Sequence, residues 1–167
     1  MRMIGYFFLA TDAELRETES APGAVERLID AAYEGRKDDL VDVDKAWHCL
    51  HFLLTGTAWE GEPPLDFVVR GGTEVGEDLG YGPARAFRSA ELRAIADALD
   101  KLAHRDLVSR FNAAEMDELE IYPRGGWQGV DPTSAERFGY FSGAFDTVRD
   151  LARRGRKSGL GLMVWLS

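Results

Sequence analysis

The chain of 167 residues carries 29 acidic against 20 basic side chains, a formal charge of −9, and 45% hydrophobic residues. That length supports one domain with its own core, and the composition is that of an ordinary globular protein. A negative surface repels phosphate backbones, which argues against nucleic acid as a partner, and no apolar run reaches the ~18 residues of a membrane span.

The first stretch, Met3 to Leu9, is apolar on both alternating faces, which predicts a strand covered on both sides. It has one Arg before it and an acidic turn after it, with no cleavage site, so it reads as a strand and not as a signal peptide. Thr11 with Glu14 then has the spacing of a capping box and opens a helix. Pro22 suits a first helical turn, and Val25, Leu28, Ile29 and Ala32 repeat behind it at helical spacing. Next comes "DKAWHCLHFLLTG", Asp44 to Gly56. Asp42 or Asp44 is expected to cap this helix and Gly56 to end it. At 100° per residue Asp44, His48, His51 and Thr55 fall within about 60° of one another. Leu50, Leu53, Leu54 and Ala46 take the other side, and Trp47 and Phe52 flank the polar stripe.

Further along, "LDFVVRGG" alternates and ends in a Gly pair, so it reads as a third strand and turn. The segment Gly71 to Arg85 is read as a glycine-rich loop. Leu92, Ile95, Ala96, Leu99 and Leu102 form an amphipathic stretch after Ser89. Asn112 with Glu115 and Thr133 with Glu136 repeat the capping-box spacing. Trp127 sits in a loop that gives no sign of sheltering it. Phe138, Phe141, Phe145 and Val148 mark a long helix, whose end carries Arg153 to Lys157, a run suited to the negative helix terminus. Leu160 to Leu166 is a second two-faced strand. Strands at both termini and near the middle, without βαβ alternation, predict an α+β fold. Residues 1–167 should form a single compact domain, its terminal strands central in a small sheet covered by amphipathic helices starting near Ser89 and Thr133.

The chemistry-bearing motifs are few. Two histidines three apart could be proton carriers or ligands, because imidazole titrates near neutral pH. They could equally be core residues hydrogen-bonded to a loop backbone. The pair lacks the H-E-x-x-H spacing of a zincin and the Glu-x-x-His of a di-metal site, so no metal is expected. The glycines at 76, 80 and 82 do not keep dinucleotide spacing, and no P-loop or G-x-S-x-G elbow occurs, so no cofactor is expected. The loop reads either as a long turn whose acids cap or pair, or as a cover for the histidine stripe. In the second case Glu77 or Asp78, together with Tyr81, would reach the imidazoles, and the candidate pocket would comprise Asp44, Trp47, His48, His51, Glu77, Asp78, Tyr81 and Arg85. A carboxylate pairing would then raise a histidine pKa unless burial offset it.

The blocks "MIGYFF", "VDVDKAWHCLHFLLTG", "GTEVGEDLGYGPARAF", "IYP" followed by a Trp, and the ending "VWLS" resemble the YfbM-like family of small bacterial proteins. The resemblance covers nearly the whole chain in the family's order. It matches residue for residue at Trp47, His48, His51, Gly76, Glu77, Asp78, Tyr81, Gly82, Pro83 and Arg85. It implies a single α+β domain in a bacterial cytoplasm and does not imply a reaction. The lone Cys49 excludes an internal disulfide and suits the same reducing compartment. Charge is uneven: 17 acids stand against 7 bases through Gly80, and 12 against 13 beyond it. With no complete catalytic constellation, the reading is an acidic binding module that recognises a protein partner. The alternative is an enzyme or small-ligand-binding protein using a pocket between the His48/His51 helix and the loop Gly76 to Arg85.

Overall fold

Both termini run through the middle of one five-stranded antiparallel sheet in the computed structural model, which describes residues 2–134 and 136–167. The side chains of Arg137 and Phe138, the first phenylalanine of the expected stripe, lie outside the described set. The strands are β1 (Gly5–Ala10), β2 (Leu40–Asp42), β3 (Thr73–Asp78), β4 (Pro83–Phe87) and β5 (Gly161–Leu166). Their order across the sheet is β2-β1-β5-β4-β3, with Phe7 opposite Val164 and Leu9 opposite Leu162. The two-faced apolarity has a direct cause. Phe7, Leu9, Leu162 and Val164 enter one hydrophobic cluster, and Phe8, Ala10, Met163 and Trp165 enter another on the opposite face.

Seven α-helices among the described residues cover those faces: α1 (Asp12–Ser20), α2 (Ala24–Glu34), α3 (Trp47–Thr55), α4 (Ser89–Asp100), α5 (His104–Arg110), α6 (Ala113–Glu118) and α7 (Arg137–Ser158). Leu15, Val25, Leu28 and Ala32 bring α1 and α2 onto the Trp165 face. Helices α3, α4 and α7 pack on the other face through Leu50, Leu53, Leu92, Ile95, Phe145 and Val148. This is the expected α+β arrangement. No helix among the described residues is long and apolar enough to cross a membrane.

The caps are partly as expected. Thr11 and Glu14 form a reciprocal box at 2.9 and 3.1 Å, and Asn112 accepts from the Glu115 amide. At α4 the cap comes from another helix: the Asp12 carboxylate accepts from the Ser89 amide at 2.8 Å and its hydroxyl at 2.6 Å. Those two bonds hold the Asp12 carboxyl below its usual range, against a smaller opposing effect of burial. Replacing Asp12 by Ala is therefore expected to cost about 1–2 kcal/mol. Equilibrium unfolding in urea measures it, and a change within ~0.3 kcal/mol would mean the bridge between α1 and α4 contributes nothing.

Five expectations need correction. Neither Asp42 nor Asp44 caps α3: the helix begins behind Ala46 without a side-chain cap, and Asp42 accepts from the Asp44 amide instead. Thr133 donates to Asp131 through both amide and hydroxyl, so it caps a local turn and α7 begins only at Arg137. Residues 65–70 form turns, not a strand; Phe67 and Val68 are buried as two neighbours on a folded-back segment. The glycine-rich stretch is not a loop but the β3–β4 hairpin. Gly76 makes this possible: it takes φ +71° where the register shifts, and a Cβ there would meet Val25 at 2.8 Å. Trp127 is buried at 2% exposure, with its indole N–H donating to the Ile121 carbonyl. The basic run Arg153 to Lys157 does lie in the last turns of α7. Its strongest contacts, however, are ion pairs of Arg153 and Arg156 with Asp100 and of Arg156 with Asp97, which tie α7 to α4.

Candidate functional site

Helix α3 has no wet face. Every residue from Trp47 to Leu54 is buried, and Gly56 ends the helix with φ +75° as anticipated. His48 is 1% exposed and His51 is fully buried. What covers the stripe is the segment directly after the helix. Residues 56–72 fold back as a strap over α3, and its main-chain carbonyls meet the imidazoles. His48 Nε2 donates to the Ala58 carbonyl at 2.8 Å, and His51 Nε2 donates to the Glu60 carbonyl at 2.8 Å. The Tyr122 amide donates to His48 Nδ1 at 2.9 Å, which fixes the neutral Nε2–H tautomer of that ring. His51 Nδ1 has no hydrogen-bond partner among the described residues.

Burial lowers the pKa of both rings, partly countered by the carbonyl bonds. His51 falls to about 4, because the charges of His48, Arg85 and Arg70 add to the burial effect. The expected carboxylate pairing and upward shift are thus replaced by carbonyl pairing and a downward shift. Carboxylates are absent from the contact because the hairpin points elsewhere. Gly76 and Glu77 lie against the α1–α2 corner. Asp78 accepts from the Gly80 and Gly82 amides at 2.6 and 3.0 Å and so holds the hairpin turn, in which Tyr81 is half-buried. Asp44 sits on the rim with Arg2 at 3.2 Å and the Tyr140 hydroxyl at 3.0 Å. Burial pulls its carboxyl up, but those two partners hold it below the ordinary value.

Arg85 does reach this region, in a role the sequence reading missed. Its guanidinium donates to the carbonyls of Phe67 and Val68 at 2.9 and 2.6 Å and to that of Arg70. It therefore clasps the strap from below. Burial brings its pKa down to about 10, against the carboxylates of Asp66 and Glu74. The strap passes close over α3 at Gly61, where φ is +141° and a Cβ would meet Thr55 at 2.9 Å and Asp66 at 3.0 Å.

Two features of the strap were not singled out from sequence. Trp59 is 53% exposed, with its ring 4.2 Å from His48 and 6.0 Å from Trp47 between centroids. Trp47 itself lies stacked on His48 at 4.8 Å, and Tyr122 stacks on Trp47 at 5.6 Å. On the other edge, Asp66 is 6% exposed and lines a cavity of about 120 Å³ with Pro63, Pro64, Gly72, Phe87 and Ile95. The signal for Trp59 was an aromatic residue next to acids just past a helix stop. Asp66 had no signal at all. Among the described residues no cluster of three or more His, Cys, Asp or Glu could hold a metal.

The family model described as "Domain of unknown function (DUF1877)" matches residues 1–165. Protein YfbM of Escherichia coli (strain K12) is 32% identical over 127 residues, covering 74% of each chain. The crystal structure titled a protein of unknown function, YfbM from Escherichia coli, superposes with a TM-score of 0.67 at 23% identity. That match covers 98% of this chain and 99% of the other, and shows the shared fold. With the family model spanning nearly its full length, this chain belongs to the DUF1877, or YfbM-like, family.

Proposed function

We propose that this protein is a small acidic binding module that recognises a basic protein partner through the strap face carrying Trp59. The observation that carries the reading is the support under that ring. A tryptophan half exposed to solvent is normally mobile, but this one rests on the buried His48–Trp47 stack. Such a side chain offers a large amphipathic surface whose ordering cost is already met in the free protein. Tryptophans of this kind are over-represented among residues that dominate interface energies. Glu62 is exposed beside it, Glu60 pairs there with Arg70 at 3.1 Å, and the net charge of −9 favours a cationic partner and speeds its encounter. The compartment that suits the single, buried Cys49 is a reducing bacterial cytoplasm.

An enzyme using His48 and His51 finds no support in this geometry. A general base must come within about 3 Å of the proton it takes, whereas both rings are closed off and their Nε2–H groups are committed to carbonyls.

The test compares wild type with Trp59→Ala and with Glu60→Gln/Glu62→Gln as full-chain baits, followed by measured affinities with the purified partner. Trp59→Ala should unfold within about 1 kcal/mol of wild type, since the ring is half exposed, and bind the partner at least ~30-fold more weakly. The partner should have a basic isoelectric point, and its affinity should fall with salt. Equal binding by Trp59→Ala, an acidic partner, or no retained protein would each overturn the proposal.

A further inference from the structure

We infer that the cavity under the second edge of the strap is a binding site for an organic monocation, an alkylammonium or alkylguanidinium group held by the Asp66 carboxylate. Asp66 is 94% buried, and among the described residues no N–H or O–H donates to its carboxylate and no ion pair reaches it. Its main-chain carbonyl is satisfied by the Val69 and Arg70 amides, which leaves the side chain turned to the cavity it lines. The carboxylate oxygens are not among the enclosed side-chain atoms that lack a partner, so they open onto the cavity, and what they meet there in place of a protein donor calls for an explanation. The nearby cation does not supply one. Arg85 is turned to the carbonyls of Phe67, Val68 and Arg70, and its charge acts on Asp66 only from beyond ion-pair distance.

The cavity that Asp66 lines has chemistry of its own. Pro63, Pro64, Phe87, Ala94 and Ile95 make its walls apolar, and exposed Glu91 adds a second carboxylate at the rim. Its volume of about 120 Å³ equals some four waters at ~30 Å³ each. A guanidinium, or an ammonium with a short alkyl stem, has that size. The stem would meet the apolar walls and the charged head the carboxylate. A hard metal ion fits poorly, because it requires six or more oxygen ligands. The inference needs no protein partner and stands or falls separately from the role of Trp59.

The experiment titrates the full chain with n-butylammonium, methylguanidinium and the neutral isostere n-butanol, following backbone amides of Gly71, Gly72 and Ile95 by NMR. Saturable shifts are expected with either cation and not with n-butanol. Asp66→Asn should weaken them at least tenfold. Ala94→Leu, at an exposed helix position on the cavity wall, should block them without altering charge, and it keeps the test valid if Asp66→Asn fails to fold. Capped Nα-acetyl-lysine methylamide separates the sources of the cation. Binding tighter than n-butylammonium identifies a polypeptide side chain, weaker binding identifies a free small amine, and either supports the cation site. No saturable shift with any cation, equal shifts with n-butanol, or cation shifts unchanged by both substitutions would overturn it.

Discussion

Arg85→Ala is expected to destabilise the protein by about 3–5 kcal/mol, one of the largest effects of any single substitution here. Among the described residues its guanidinium alone joins β4 to the carbonyls of Phe67, Val68 and Arg70. Removing it orphans acceptors in a segment that has no strand ladder to fall back on. Arg85→Lys should recover less than half of the loss, because one ammonium cannot reproduce the planar fork that spans several carbonyls. The expected local consequence is a loosened strap, seen as faster amide exchange at residues 57–70 and a lowered urea midpoint. A variant within ~0.5 kcal/mol of wild type would show that the strap is held by its other contacts.

The second large effect is pH dependence. Unfolded histidine titrates near 6.5, whereas His51 in the fold titrates at about 4, mainly through burial. Between those values the unfolded chain binds a proton that the native chain does not, so stability falls as pH falls. For His51 alone the loss from pH 8 to pH 5 is about 2 kcal/mol. His48, also lowered by burial, acts in the same direction. The His51 contribution should level off below about pH 4, where both states are protonated. Urea midpoints from pH 8 to pH 4.5 measure this slope, and His51→Gln should flatten it. A stability that rises on acidification in that window would contradict the burial of the rings.

Much of the architecture was legible in the sequence because its causes are local. The Thr11–Glu14 box is decided within one turn. The two-faced strands Gly5–Ala10 and Gly161–Leu166 announce that both sheet faces are covered. Spacing alone grouped His48 with His51, and both proved to lie on one stripe under one cover. The family blocks pointed to the same single α+β domain.

What the stripe touches was not legible. Its partners are main-chain carbonyls of residues 58 and 60 and the amide of residue 122. Every residue carries those groups, so no side-chain pattern advertises them. The acids Glu77 and Asp78 looked available because charge and glycine are visible in sequence, whereas the direction of a hairpin is not. Gly76 against Val25 turned that hairpin to the α1–α2 face. Local propensity likewise misplaced Leu65 to Arg70, where alternating apolar residues suggested a strand and packing made a turn, clasped by Arg85 from a distant position. The sequence by itself determined the two terminal strands, the amphipathic helices on either side of the sheet and the caps at Thr11 and Asn112, since these depend on neighbours within a few residues. Only the tertiary structure decided that the histidines are closed off, that Trp59 is propped on them, and that Asp66 faces a cavity without a donor, because each depends on where a distant stretch of backbone comes to rest.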